Sequence, residues 1–230
     1  MSSPSIIIAG SRPWNQAAIE SLRHKLTARV LMVSTREGLE DALSAEAQIQ
    51  YIFFLHWSFI VPKRITDNYE CVCFHMTDVP YGRGGSPLQN LIAQGHQETK
   101  LTALKMVQEL DAGPVYLKKS LSLKGSTAEE IYMCASALSC EMIAQILDEG
   151  IEPIEQTGEV VGFSRRTPDQ SVLPCSVSLD AVHDHIRMLD ATGYPHAFLD
   201  VGSLRLEFTR SARYDGKIIA NVEITEKNNS

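Results

Sequence analysis

His75 and Asp111 are the two side chains whose types and setting suit proton transfer at a carbonyl. The apolar run 71–74 reads as a buried strand, so His75 emerges at its carboxyl end, where open α/β sheets place their ligand crevice. Beyond it, Pro80, Gly82, Gly84 and Gly85 break any regular element, and Pro87 starts a helix running to Gln94. Asp111 follows the apolar stretch 101–110 and precedes Gly113-Pro114, a turn signal before the strand-like Val115-Tyr116-Leu117. Acyl transfer to an amine needs one group to take the amine's proton and another to steady the oxyanion. An imidazole oriented by a carboxylate does both. Taken singly, each residue has a plainer role, as a hydrogen-bonded structural histidine and a turn-forming aspartate. The flanking pattern is what favours chemistry.

That pattern resembles the folate-dependent formyltransferases, the family of the glycinamide ribonucleotide, methionyl-tRNA and nucleotide-sugar enzymes. In the family a strand ends in a histidine, followed by a proline-containing loop with an Arg-Gly step, then a small residue, Pro, a branched residue and Gln. Here these are His75, Pro80, Arg83-Gly84 and Ser86-Pro87-Leu88-Gln89, and the family's Leu-Asp-x-Gly stands as Leu110-Asp111-Ala112-Gly113, thirty-six positions from histidine to aspartate. Leu55-His56-Trp57-Ser58-Phe59-Ile60-Val61-Pro62 looks like the family's folate-contacting segment. Phe163-Ser164-Arg165-Arg166-Thr167-Pro168-Asp169, Ile186-Arg187-Met188-Leu189-Asp190 and Gly193-Tyr194-Pro195-His196-Ala197 resemble pieces after the catalytic core. One departure is plain: the family asparagine two positions before the histidine, whose amide holds the formyl carbonyl, is Cys73 here, and a thiol is a poor donor. Either another amide serves, with Asn90 ahead of Gln89, or the register is different, or the chemistry is weakened.

The resemblance implies N10-formyltetrahydrofolate as co-substrate and the primary amine of a nucleotide-linked amino sugar as acceptor, feeding a surface glycan such as lipopolysaccharide. It implies catalysis by His75 and Asp111 with Asn90 assisting. Donor contacts fall on Trp57, Ser58, Phe59, Ile60, Gln108 and Leu110. Acceptor contacts fall on Arg12, Arg83, Gly84, Gly85, Arg165, Arg166 and Tyr194, the arginines as forks for a diphosphate and the glycines as points of close backbone approach. The alternatives are a formyltransferase acting on methionyl-tRNA or glycinamide ribonucleotide, or a folate- or nucleotide-binding module without turnover.

Composition narrows the partners. A chain of 230 residues, 44 % hydrophobic, builds one α/β core with a small appendage, and the methionyl-tRNA enzymes' further carboxyl-terminal domain is expected to be missing. A formal charge of −7 argues against a phosphate-backbone partner, so no nucleic acid is expected. Cys71, Cys73, Cys134, Cys140 and Cys175 show no metal-site spacing, so no metal is expected. With neither an amino-terminal h-region nor an apolar run approaching a membrane span, the chain is expected to be cytoplasmic and free of membrane, and the resemblance to the sugar enzymes, commonly dimeric, implies a homodimer.

Periodicity and turn signals place the elements. Strands are expected at 5–10, 29–34, 51–55, 71–74, 101–106 and 115–121, and helices at 15–26, the first capped by Asn15, and at 37–45. Ser126-Thr127-Ala128-Glu129 reads as a capping box opening a helix to about Leu147. This β-α-β order predicts a mostly parallel, doubly wound sheet of the formyltransferase-like Rossmann kind over residues 1–150. Residues 151–230 form the appendage: an extended loop over 151–174, a helix at 179–189, a hairpin of 204–208 with 218–222 around Asp215-Gly216, and a frayed end at 226–230.

Overall fold

Ile6, Ile7, Ile8 and Ala9 are consecutive and all fully buried, which in a strand requires cover on both faces of the sheet. The computed structural model describes residues 5–125 and 127–227, so Ser126 of the expected capping box and residues 228–230 of the expected frayed end lie outside the described residues. In chain order the elements are β1 (Ser5–Gly10), α1 (Asn15–Arg23), β2 (Arg29–Val33), α2 (Arg36–Ala45), β3 (Ile49–Leu55), the one-turn α3 (Lys63–Thr66), β4 (Cys71–His75), β5 (Tyr81–Gly84), α4 (Pro87–Ala93), β6 (Glu98–Lys105), β7 (Val115–Ser122), α5 (Ala128–Glu149), β8 (Val161–Phe163), a 3₁₀ turn at Pro168–Ser171, α6 (Leu179–Arg187), β9 (Ala197–Val201), β10 (Leu204–Tyr214) and β11 (Lys217–Glu226). The main sheet has the order β2-β1-β3-β4-β6-β7. Its β2, β1, β3 and β4 run parallel and β6 runs antiparallel to β4. The expected mixed α/β fold with a mostly parallel sheet is what the chain adopts.

The chain divides into two compact units that interleave along the sequence rather than meeting at residue 150: Met1–Gly84 with Thr99–Leu121 and Tyr132–Gly162, and Gly85–Glu98 with Ser122–Ile131 and Phe163–Ser230. In the first, Ile7, Ala9, Ile52, Phe54 and Cys71 of three adjacent strands form a core cluster with Leu39 and Ile65. In the second, α6 is capped by the Ser178 hydroxyl, which accepts from the Ala181 N–H, and β9, β10 and β11 form an antiparallel sheet. The expected hairpin is present with its strands running on to Tyr214 and Lys217, but residues 204–207 pair with 223–226 rather than with 218–222, and only Phe208 of that stretch meets Val222.

Four local expectations are corrected. Asn15 is not a cap: it is buried as the first residue of α1, donates to the Leu55 carbonyl at 2.9 Å and accepts from the Ser136 hydroxyl at 2.6 Å. The capping box at α5 is Thr127 with Glu130, one residue later than expected. The glycine-rich loop is not irregular throughout, because β5 pairs with β8, which lies inside the segment expected to be loop. Finally, α5 is long and apolar enough, by length and composition, to cross a membrane, contrary to the expectation. Half of its most apolar stretch is buried, and its face of Tyr132, Ala135, Ser139, Met142, Ile143 and Ile146 packs inside, as a core helix does.

Candidate active site

His75 closes β4 opposite Thr102 of β6, and only 8 % of it is exposed. Its Nε2 lies 2.8 Å from the Gly82 carbonyl, which also accepts from the Thr77 hydroxyl at 3.3 Å. The Thr102 hydroxyl in turn donates to the Thr77 carbonyl at 2.7 Å. A carbonyl can only accept, so Nε2 carries a hydrogen and the lone pair of the neutral ring sits on Nδ1. Nδ1 is 3.6 Å from Oδ2 of Asp111, whose side chain is 10 % exposed. The ring is therefore held by one nitrogen and presents the other as a proton acceptor beside a carboxylate that stabilises the resulting cation.

Asp111 reaches this position through an unusual backbone. Its φ is +54°, in the left-handed region that costs a non-glycine residue roughly 1 kcal/mol or more. Its Oδ2 accepts from the Gly84 N–H at 2.9 Å. Two residues later the chain passes so close to β6 that a Cβ on Gly113 would lie 1.8 Å from the Lys105 carbonyl oxygen, so the Leu-Asp-x-Gly pattern needs glycine there. Cys73, two residues before His75 on the same side of β4, has its thiol held far above its ordinary range, first by burial and then by the charge of Asp111. It is a neutral S–H, a weak donor facing the same place.

The structure distributes the other expected residues unevenly. Gly84 contacts Asp111 directly, and Arg83 belongs to the same unit, but its guanidinium is turned inward: Nε and Nη2 donate to Gln156 Oε1 at 3.1 and 2.9 Å, and Nη1 to Glu109 at 3.3 Å. Trp57 packs edge-on against Phe54 and Phe59, Ser58 lies 3.3 Å from the Ser11 hydroxyl, and Ile60 is 86 % exposed. Gln108 and Leu110 are exposed on the loop that carries Asp111. Arg12 lines a 450 Å³ cavity with Ser11, Asn15, Gln16 and Ser34.

In the second unit, Gly85 donates to the Phe163 carbonyl and lies against the backbone of Arg165. Arg166 donates through Nη2 to the Gln170 carbonyl at 2.7 Å, and burial lowers its guanidinium pKa. Tyr194 is half-buried, its N–H on the Ala191 carbonyl. Asn90 spends both amide hydrogens on the Gly85 and Ser164 carbonyls, 3.0 Å each, and Gln89 is buried with its amide on the Met188 carbonyl. Asn90 has no amide hydrogen left over in this arrangement for the role Cys73 vacates, and braces the carbonyls of its own unit instead. No group of three or more potential metal ligands occurs among the described residues.

Gln156 is the residue that sequence reading missed. It fell in the expected loop, and a glutamine that binds carbonyls carries no pattern. Its position is set by the fold, between Ile154, which bridges to Val115, and Val161, whose N–H meets the Pro80 carbonyl.

Several known proteins resemble this chain. A family model, the methionyl-tRNA formyltransferase C-terminal domain, matches residues 168–225, which corrects the expectation that the chain lacks any such segment. The methionyl-tRNA formyltransferase of Rickettsia felis is 30 % identical over 159 residues, 67 % of this chain and 51 % of the relative, so the chain spans about half the length of that curated relative. The structure of a methionyl-tRNA formyltransferase from Clostridium thermocellum is 42 % identical, with a TM-score of 0.92 over 97 % of this chain and 100 % of the other. An N-formyltransferase from Helicobacter canadensis, solved with folinic acid and dTDP-3-aminofucose, shares the fold alone, at 16 % identity and a TM-score of 0.63 over 96 % of this chain and 100 % of the other. The relatives named for methionyl-tRNA overturn the exclusion of nucleic acid, because a net charge summed over a whole chain does not report the local surface that meets a phosphate backbone. The buried His75–Asp111 pair and the end-to-end match to the Clostridium structure lead to one conclusion: this chain belongs to the formyltransferase family and is methionyl-tRNA formyltransferase-like.

Proposed function

We propose that this chain transfers a formyl group from N10-formyltetrahydrofolate to a primary amine, with methionyl-tRNA as the acceptor that the relatives' names support best. The observation that carries the chemistry is His75, tied through Nε2 and facing Asp111 with Nδ1 at 3.6 Å. The neutral amine attacks the formyl carbon, and the C–N10 bond breaks as the amine's proton leaves. His75 Nδ1 takes that proton beside Asp111 and returns it to N10, so the product amide and the tetrahydrofolate balance. The positive charge of the imidazolium would steady the oxyanion that forms as the amine attacks.

The donor's pterin fits what the chain leaves exposed. Trp57, Val61, Cys73 and Met106 pack on one apolar cluster, and from it rise two loops bearing the exposed Ile60 and, before Asp111, Val107 and Leu110. Apolar side chains left in water on both loops suit the faces of a flat aromatic ring.

A second reading keeps the donor and takes an amino-sugar nucleotide. The cavity of 450 Å³ at Arg12, with Ser11, Asn15, Gln16 and Ser34 in its lining, is of a size for a nucleotide-linked group, and the dTDP-3-aminofucose complex shares the fold end to end. Incubation with the formyl donor and either methionyl-tRNA or a panel of amino-sugar nucleotides, followed by mass spectrometry for the gain of one CO unit, decides between them. His75→Asn and Asp111→Asn are each expected to lower the rate by about 10² to 10⁴ with little change in melting. Tetrahydrofolate binding without turnover of any acceptor, or variants as active as the parent, would overturn the proposal.

A further inference from the structure

The left-handed turn at Asp111 is braced from a segment forty-five positions downstream. Gln156 Nε2 donates to the carbonyls of both Asp111 and Gly113, each at 2.8 Å, while its Oε1 accepts two bonds from the Arg83 guanidinium. A guanidinium only donates and a carbonyl only accepts, so the amide has one workable orientation. Arg83 fixes the oxygen, and the nitrogen is thereby aimed at the turn. The neighbouring Gly84 N–H holds the Asp111 carboxylate at 2.9 Å, so Arg83-Gly84 grips the turn twice, once through Gln156 and once directly.

Resting on the formyl-transfer reading, we infer that Gln156 is a positioning residue for the reaction: it holds the backbone of Asp111 in the conformation that aims the carboxylate at His75 Nδ1. Arg83 acts behind it as the group that sets the amide's polarity, a role different from binding a diphosphate. The chemistry of the brace singles out glutamine. Glutamate would keep the Arg83 fork but turn a carboxylate on two carbonyl oxygens, and leucine would fill the space with no bond to either.

The test uses Gln156→Leu and Gln156→Glu in the full chain, each also combined with Asp111→Asn. Both single variants are expected to lower kcat about 10- to 100-fold while KM for donor and acceptor stays within about twofold, since a misaimed carboxylate affects the chemical step more than binding. In the Asp111→Asn background the same substitutions are expected to have almost no further effect, because the residue they act through is already gone. A general structural role would give losses that multiply. Hydrogen–deuterium exchange of the loop 109–113 gives a readout independent of turnover: faster exchange there at unchanged melting supports the brace, and unchanged exchange overturns it. If the parent enzyme forms formyl product and the variants match it, the inference about Gln156 fails alone. If the parent forms none, the functional reading fails, and the exchange measurement still decides the brace.

Discussion

The six-stranded sheet of the first unit and the three-stranded sheet of the second are stabilised in different ways. In the first unit, β1 presents four consecutive side chains with no exposure at all, and Ile52, Phe53 and Leu55 of β3 beside it are as deeply buried. In the second, β9, β10 and β11 keep a full antiparallel ladder, yet Val201, Val222 and Ile224 stand 58 %, 45 % and 60 % exposed. Arg205 bridges Asp200 with both Nε and Nη2, and Lys227 joins the same carboxylate. Cross-strand pairing and the packing of α6 on β10 hold that sheet, and its exposed ion pairs contribute little each. Burial on both faces makes the first sheet stiff. The lesson concerns the site: His75 ends a strand whose neighbours on both sides are packed, so its backbone is fixed by the core, while the Gly82 carbonyl and Asp111 set its ring.

The comparison breaks if the two sheets respond alike to truncation. Phe53→Ala is expected to cost about 3–5 kcal/mol, the largest effect, because a fully buried ring between packed layers leaves a cavity that cannot collapse. Urea unfolding measures it, and a loss under about 1 kcal/mol would show that the first sheet is not the rigid member.

Acid sharpens the contrast. His56, at the end of β3, sits with Asn15 and between Trp14 and Tyr132, and its pKa is lowered to about 4 from 6.5, by burial first and by the Arg12 charge second. Between those two values the unfolded chain binds a proton that the folded chain does not. Stability therefore falls as pH drops through 6.5 toward 4, by at most about 3 kcal/mol from this group. His183 and His185 of α6 are lowered in the same direction by burial and add to the slope with the same sign. His56→Gln is expected to flatten the pH dependence of unfolding more than either α6 histidine's substitution, and an unchanged slope would count against the buried-histidine account.

The smallest effect belongs to the exposed sheet. Ile224→Thr keeps the strand propensity and is expected to move the unfolding free energy by no more than about 0.5 kcal/mol. A cost approaching that of Phe53→Ala would mean that this face is covered in solution and that the two sheets are not different in kind.

How much of this was legible before the fold was seen depended on range. β1, β3 and β4 were readable because a continuous apolar run has few other uses in a chain of this length. β5 was not: Tyr81, Gly82, Arg83 and Gly84 carry no strand pattern, and they pair because β8 arrives from about eighty positions away. Asn15 had the identity of a cap, but partners forty and more positions distant drew it inside the helix. Asn90 has the amide that the role asks for, yet the fold commits that amide to the carbonyls of its own unit.

By itself the sequence marked His75 and Asp111 as the candidate pair for the chemistry, and it determined the strands β1, β3 and β4 that lead to them, since a continuous apolar run is written in residue type and local period. Only the tertiary structure decided which ring nitrogen faces the carboxylate, that Asp111 adopts a left-handed turn, and that Gln156 and Arg83 hold it there. The physical reason is that hydrogen bonds are directional and satisfied by whichever partner the fold brings near, and that partner's place along the chain leaves no mark on the residues that await it.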